Sequence, residues 1–255
     1  MAERLDYVKI VPQSVVDIGC ATGDGIRELS RRYPKALPVA IDFARPMLRQ
    51  VQMRSSFLQR LRGAAPRLVN ADVQALPLSS GSLDLVWSNL MLHWLDDPQP
   101  AFRELQRSLA AGGLLMFSML GPDTLKEIRA ACSACGIKPP LRCFLDMHDV
   151  GDMLAAAGFA DPVMDMEMIT LTYRSPRGLL RDQRHLGVRD ALFGELGWRD
   201  WRRVLSAWRE QSAADDLPAT FEIVYGHAWK PEAGKSPQVL ADGRAVIDFV
   251  KKHPK

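Results

Sequence analysis

Small residues follow a short apolar run in the stretch VVDIGCATGDG, residues 15–25. Such clusters occur where the backbone turns tightly or closely approaches a ligand. Asp42 follows Asp17 by 25 residues, near the spacing at which an acid accepts hydrogen bonds from ribose hydroxyls. Asp72, in NADVQALPL, could accept a hydrogen bond from the exocyclic amine of adenine. Although each feature alone is also compatible with plain packing or helix capping, their order predicts an adenosine-containing ligand.

Arginines are concentrated in a later part of the chain. Residues 174–209 contain nine arginines, four acidic residues and no lysine, in a chain with a net charge of only +3. On a helix, Arg177, Arg181 and Arg184 share one face, with Leu179 and Leu186 opposite. A planar guanidinium binds a carboxylate bidentately, so this face predicts a clamp for an acidic substrate or partner. A merely solvated face is the alternative.

Several other kinds of site are disfavoured. The sequence has no GxxxxGK[ST], which excludes a P-loop, and the turn lacks the third glycine of a dinucleotide-binding fingerprint, although a dehydrogenase stays open. Cys132 and Cys135 form a lone CxxC without a second pair, so we expect two helix cysteines. No grouping of residues has metal-ligand spacing, and we predict no metal.

Bulk composition indicates an ordinary globular chain. The 255 residues are 47% hydrophobic and 25% charged, without an apolar run of bilayer length or a signal peptide. Four cysteines suggest reduced thiols, and we expect a cytoplasmic protein. The small net charge gives no reason to expect nucleic acid or a membrane as a partner.

Apolar segments alternate with helical ones over the first half of the chain, which predicts a parallel, doubly wound α/β sheet with ligands at the carboxyl ends of its strands. A helix is expected from Pro46 to about residue 60. The predicted strands cover residues 15–20, 38–43, 67–71, 82–88 and 114–119.

The later part follows a different pattern. Two longer strands are predicted at residues 164–173 and 219–229, and alternation in the second favours an edge or antiparallel strand. About 45 residues of helical insert separate them. Three helices are predicted from the residues at their ends. Thr124 and Glu127 have the spacing of a capping box that begins the first, and Asp146 caps a second that ends at Gly158. The third begins at Ser175-Pro176 and ends at Gly187.

Five motifs in order, D-I-G-C-A-T-G, I-D-F-A-R-P-M-L, A-D-V-Q-A-L-P-L, L-D-L-V-W-S-N and L-A-A-G-G-L-L, resemble those of class I S-adenosylmethionine-dependent methyltransferases. The resemblance covers residues 14–118. It implies a seven-stranded, mostly parallel Rossmann-like sheet with an antiparallel seventh strand, and S-adenosyl-L-methionine as the cofactor. Ala21 stands where the family often has glycine, and its methyl group is tolerable if φ is negative there.

The same resemblance implies a set of cofactor-binding residues at the strand ends. Asp17, Gly19, Cys20 and Gly23 would surround the methionine part, and Asn89 would face the sulfonium. Asp42 would bind the ribose, while Phe43, Met47, Asp72 and Val73 would contact the adenine.

Longer motifs, SNLMLHWLDD, FSMLGPDTLKEIRAAC, FLDMHDVGDMLAAAGFADPVMDMEMITLTY and LPATFEIVYGHAWKP, resemble the biotin-pathway malonyl-acyl-carrier-protein O-methyltransferases. The resemblance implies methyl transfer to the free carboxylate of a malonyl thioester on acyl-carrier protein. The carboxylate is ionised at pH 7 and needs no general base, only a cationic clamp. The candidates to position it are His93, Arg142, Arg177 and Arg184.

We therefore expect a methyltransferase domain at residues 1–173 and 214–231, a helical substrate cap at 174–213 and a tail at 232–255. Members of this subfamily usually carry a lid before the first strand, and we expect Tyr7 to replace part of that cover. Two alternatives stay open. One is a methyltransferase-fold hydroxylase or assembly factor for a respiratory complex, since D-M-H-D-x-G-D is similar to such a factor. The other is a non-catalytic S-adenosylmethionine-binding protein.

Overall fold

The computed structural model describes residues 1–55, 65–185, 194–212 and 216–232. Within those ranges, one seven-stranded sheet has the order β3-β2-β1-β4-β5-β7-β6. The strand β7 runs antiparallel to both of its neighbours and the other pairs are parallel, which confirms the predicted fold class. The strands are β1 (Ser14–Ile18), β2 (Leu37–Asp42), β3 (Arg67–Asn70), β4 (Leu83–Asn89), β5 (Leu109–Leu120), β6 (Ala160–Tyr173) and β7 (Leu217–Trp229).

Helices cover both faces of the sheet, which is why the central strands are apolar without alternation. The first two helices pack on one face and the third and fifth on the other, around Phe102 and Leu154. None of the described helices is long and apolar enough to cross a membrane. The helices are α1 (Asp24–Arg32), α2 (Arg45–Arg54), α3 (Gln99–Ser108), α4 (Lys126–Ala134), α5 (Met147–Ala156), α6 (Pro176–His185) and α7 (Trp198–Gln211).

Local signals place several helix ends correctly. The Asp146 side chain accepts a hydrogen bond from the backbone N–H of His148, and Gly158 takes φ +87° just beyond α5. Proline begins α6, as predicted, but Gly187 lies outside the described residues. The helix α2 ends at Arg54, and residues 56–60 of its predicted extension also lie outside the described residues. The alternating strand β7 is antiparallel, as expected, but lies inside the sheet, with β6 at the edge.

The predicted capping box at α4 is wrong. Leu125, with φ +57°, occupies the N-cap position, and no side chain caps the helix. The Glu127 carboxylate instead accepts hydrogen bonds from the backbone N–H of Thr220, at 3.0 Å, and from its hydroxyl. The Thr124 hydroxyl donates to the Glu222 carbonyl at 3.4 Å. The side chains of Thr124 and Glu127 therefore bind residues of β7 and do not cap the helix.

The strand order reverses between β1 and β4, and ligands bind beside such a reversal. Because β6 is parallel to β5, its end at Tyr173 lies at the same edge of the sheet as the ends of β1 and β4. The insert therefore leaves the sheet on the ligand side. Its helices α6 and α7 share a buried cluster with α4, through Leu179, Trp208 and Ile128.

Removing the Glu127 carboxylate should weaken the attachment of α4 to β7. We expect Glu127→Ala to lower the free energy of unfolding by about 2 kcal/mol, because two donors on Thr220 lose their acceptor. The neighbouring exposed Lys126→Ala should change it by less than about 0.5 kcal/mol. Urea denaturation of both variants measures the difference, and equal values would contradict this attachment.

Candidate functional site

The glycine turn after β1 is tied to the end of β2. The backbone N–H groups of Gly19 and Cys20 donate to the Ile41 carbonyl, at 2.9 and 3.1 Å. Gly19 has φ +71°, and a Cβ there would overlap the side chain of Met91. Gly23 has φ +85° and lies against Val51. The turn therefore requires glycine at both positions, for conformation and for space.

Ala21 adopts φ +43°, so the condition of a negative φ, under which its methyl group would be tolerable, is not met. Its backbone N–H donates to Asp42 Oδ2 at 2.8 Å. A non-glycine residue in the left-handed region is strained, and such strain persists only where surrounding contacts hold it. Here the hydrogen bond to Asp42 and the flanking turn provide those contacts.

The Asp42 carboxylate also organises the start of α2. Its Oδ1 accepts from the Ala44 N–H at 2.7 Å. The Asn70 amide donates to the carbonyls of Asp42, at 2.9 Å, and Phe43, at 2.7 Å. Sequence reasoning missed Asn70, although it immediately precedes Ala71-Asp72 in the quoted third motif. The amide fixes the backbone on which Asp42 and Phe43 stand.

Apolar and acidic side chains lie together at the rim beyond β2 and β3. The side chain of Phe43 is 80% exposed and that of Met47 is partly exposed. Asp72 is exposed and accepts from the Gln74 N–H at 2.9 Å, while Val73 is buried below it. An exposed phenyl ring beside carboxylates suits a flat ring that carries hydrogen-bond donors.

Asp17 and Cys20 support the turn from below and do not line its surface. Asp17 is 2% exposed, and burial raises the pKa of its carboxyl to about 7. Its Oδ2 and the indole N–H of Trp87, a neighbour on β4, have no hydrogen-bond partner among the described residues. Gly25 is required here because a Cβ would overlap the carboxylate. Burial also raises the pKa of the Cys20 thiol.

The end of β4 is held by β5. The Ser118 hydroxyl donates to Asn89 Oδ1 at 2.7 Å. Leu90 adopts φ +52°, and its N–H donates to the Ser118 carbonyl at 2.9 Å. Asn89 and Leu90 are both exposed at this edge. The structure thus places Asn89 across the strand-order reversal from the glycine turn.

His93 is a buried, neutral group. It is 5% exposed, and burial lowers the pKa of its imidazole to about 3. Its Nδ1 accepts from the backbone N–H of Leu120 at 3.4 Å, which leaves Nε2 as the protonated nitrogen. The ring packs against Trp94 and Phe144, with centroid distances of 4.5 and 5.5 Å. His93 therefore braces the end of β5.

Arg142 fastens the segment after β4 to the segment before α5. Its Nε donates to the His93 carbonyl at 3.1 Å, and its Nη2 to the Trp94 carbonyl at 3.0 Å. The same Nη2 pairs with Asp96 at 2.8 Å. Among the described residues, Nη1 has no partner and stays available to an anion.

The arginines of α6 are not committed elsewhere. Arg177, Arg181 and Arg184 are exposed and make no ion pair within the described ranges. Leu179 on the opposite face is buried, as the periodicity predicted, whereas Leu186 lies outside the described residues. Arg177 lies one turn beyond the end of β6, so the α6 arginines begin close to the ligand edge.

A buried acid that sequence reasoning missed shapes the loop after β5. Glu222 is 5% exposed, and its Oε2 accepts from the Asp123 N–H at 2.7 Å. Its carbonyl accepts from the Gly121 N–H at 2.9 Å, and a Cβ on Gly121 would overlap the carboxylate. The only sequence signal was an acid within an alternating apolar strand. Glu222 fixes the loop that faces the insert.

The N-terminal segment packs elsewhere, so the expectation that Tyr7 covers the cofactor is wrong. Tyr7 is 89% exposed and lies in a cavity with Met116 and His227 on a face of the sheet. Arg4 pairs with Asp165 at 2.6 Å, which ties this segment to β6. The reason is that buried Leu5 joins the core on that face.

No cluster of three metal-ligating side chains occurs in the part of the chain that the structure describes. Cys132 is buried in α4 and Cys135 follows at its end, both as free thiols.

This strand order, glycine turn and acid at the end of β2 define a class I methyltransferase fold. The methyltransferase domain family matches residues 16–117. Solved structures with the same fold include a putative methyltransferase from Bacillus halodurans C-125, with a TM-score of 0.61, 14% identity and coverage of 90% of this chain and 97% of that one.

Sequence relatives narrow the assignment. The malonyl-[acyl-carrier protein] O-methyltransferase of Gallionella capsiferriformans is 48% identical, over 97% of this chain and 86% of the relative. The protein of the same name from Laribacter hongkongensis is 45% identical, over 100% of this chain and 86% of the relative. The chain belongs to the malonyl-[acyl-carrier protein] O-methyltransferase family.

The raised pKa of Asp17 predicts a pH effect on stability. The folded chain holds this proton up to about pH 7, whereas the ordinary carboxyl pKa is 3.8. Its contribution to the free energy of unfolding therefore falls as pH rises from 4 to 7. Because Asp17→Asn removes this fall, the variant should gain about 2 kcal/mol relative to the unsubstituted chain between pH 5 and pH 8.

Urea denaturation at the two pH values measures this gain. The control is Asp24→Asn on exposed α1, where hydrogen bonds from Thr22 and Arg27 lower the carboxyl pKa. Its difference from the unsubstituted chain should stay nearly constant between the two pH values, because a carboxyl with a pKa below 3.8 is ionised in both the folded and the unfolded state there. A pH-independent difference for Asp17→Asn would refute the buried proton.

Proposed function

We propose that this protein transfers a methyl group from S-adenosyl-L-methionine to the free carboxylate of a malonyl thioester carried by acyl-carrier protein. One observation carries the proposal. In a chain of this family, the same sheet edge has the exposed Phe43 ring near the carboxylates of Asp42 and Asp72, and a row of arginines without ion pairs in the described residues. The product of such a reaction is the methyl ester that serves as a biotin precursor.

The residues at the rim fit the cofactor. Each oxygen of Asp42 accepts one backbone N–H and keeps a lone pair for a ribose hydroxyl. Phe43 and Met47 offer apolar surface to adenine, and exposed Asp72 can accept from its amine. The backbone of turn 19–23 would lie beside the methionine part, with Asn89 on the sulfonium side. The cofactor supplies an electrophilic methyl group on a cationic sulfur.

Catalysis in this proposal is positioning. The substrate carboxylate is ionised at pH 7, so the reaction needs no general base. Neutral His93 therefore has no role as a base in this proposal. The bound cofactor would give its methyl group to a carboxylate oxygen, and its sulfur would leave with the electron pair of the broken carbon–sulfur bond as a neutral thioether. Nη1 of Arg142 and the guanidinium groups of Arg177 and Arg184, which have no ion-pair partner in the described part of the chain, are the candidates that hold the carboxylate in line.

The direct test is mass spectrometry of malonyl-carrier protein after incubation with the cofactor and this chain. We expect a gain of one methyl group, sensitive to esterase. Acetyl-carrier protein is the matched control, because it has the thioester but no free carboxylate, and it should gain nothing. An unchanged malonyl-carrier mass would overturn the proposal.

The arginine candidates can be separated by combining stability and kinetics. Arg142→Ala loses three protein contacts and should lower the free energy of unfolding by about 2 kcal/mol. Arg177→Ala and Arg184→Ala remove exposed groups and should change it by less than about 0.5 kcal/mol. The variant that removes the carboxylate clamp should raise KM for the malonyl substrate about tenfold or more. If no variant changes KM or kcat, none of the three binds the carboxylate.

A further inference from the structure

We propose that the surface formed by α7 and the carboxyl end of α4 docks an acidic helix of the carrier protein. This inference rests on the proposed function and adds the place where the carrier binds. We call the surface the α4–α7 platform. It comprises Trp198, Arg199, Arg202 and Arg203 together with Cys135.

The platform is cationic and open. Arg199 and Arg202 are exposed and make no ion pair within the described ranges, and the Arg202 guanidinium lies 5.5 Å from the centre of the Trp198 ring. Arg203 is held in place, since it donates to the Cys135 carbonyl at 3.0 Å and pairs with Asp200 at 3.4 Å. Glu210 lines the same groove, and three arginines against this one acid leave the groove with a net positive charge that suits an anionic partner.

Composition of the platform favours an interface over a solvated face. Trp198 is 66% exposed, and tryptophan and arginine are the residues most enriched at the energetic centres of protein interfaces. A solubilising surface would mix lysine with arginine, yet residues 174–209 contain no lysine. Acyl-carrier proteins are acidic, so the charges are complementary and should accelerate the encounter.

The position of the α4–α7 platform agrees with the docking of a carrier protein. The helix α4 begins six residues after the end of β5 and is about 13 Å long, and the platform lies at the carboxyl end of this helix. A carrier presents its acyl group on a long flexible arm, and its body must dock away from the reacting atoms. The α6 arginines begin at the ligand edge itself, where the malonyl group would lie. The two basic surfaces therefore have separate tasks.

The test compares two substrates that share the malonyl thioester. Malonyl-carrier protein needs the platform, whereas malonyl-pantetheine has an uncharged arm and no carrier body. We measure the ratio of kcat/KM for carrier over pantetheine in the double variant Arg199→Glu/Arg202→Glu and in Trp198→Ala. The matched control is Arg103→Glu, an exposed arginine on α3 outside the insert.

We expect the ratio to fall about tenfold or more in the double variant, through KM for the carrier, and to stay within about twofold in the control. Added salt should lower the ratio of the unsubstituted chain and barely affect the double variant. A double variant with the control's ratio would overturn the platform. Circular dichroism confirms folding of each variant.

Failure of the proposed function has a different signature, because the unsubstituted chain would then methylate neither thioester. In that case calorimetry with malonyl-carrier protein still decides the platform. Binding that the double variant weakens tenfold supports it, and equal or absent binding refutes it.

Discussion

The Asp42 carboxylate holds the cofactor-side architecture together. One oxygen accepts the N–H of Ala21 in the turn after β1, and the other accepts the N–H of Ala44 at the start of α2. A single side chain thereby sets the distance between two neighbouring strand ends. Charge-assisted hydrogen bonds to backbone N–H groups are strong enough to hold Ala21 in a left-handed conformation. The rim that would receive adenosine exists because of this pair of bonds.

Acidic and cationic residues have different roles at this edge, because the acids bind groups of the chain itself and the arginines are exposed to solvent. Glu127 binds Thr220 and fastens α4 to β7, and Glu222 shapes the loop after β5. Within the described residues, five exposed arginines of α6 and α7 make no ion pair and remain available to anions: Arg177, Arg181, Arg184, Arg199 and Arg202. Such a division suits a reaction in which positioning of an ionised carboxylate is the main requirement.

Three of the four described non-glycine residues with positive φ lie at the same edge. Ala21, Leu90 and Leu125 follow the carboxyl ends of β1, β4 and β5, whereas Asp161 lies at the start of β6. Strain of this kind clusters at functional sites, where surrounding hydrogen bonds compensate for it. The site therefore depends on the sheet beneath it more than on local preference.

Local patterns in the sequence determined the alternation of strands and helices, the antiparallel seventh strand, and the positions of Asp42, Phe43 and Asp72 at strand ends. These features were predictable because apolar periodicity and turn residues act over a few neighbours. The capping at α4 and the position of Tyr7 were predicted wrongly, and Ala21 takes a positive φ that its methyl group disfavours. In each case a partner distant in the chain (Thr220, Asp42 or the core around Leu5) outweighed the local preference.

Asn70 and Glu222 were missed for the same reason, since their roles exist only through contacts across the sheet. The sequence by itself determined which groups could bind an adenosyl cofactor and an anion. Only the tertiary structure decided that Asp17 and Cys20 lie beneath the turn, that His93 is neutral, and that Arg142 is largely committed. Burial and long-range hydrogen bonds decide those properties, and neither can be read from the spacing of residues along a chain.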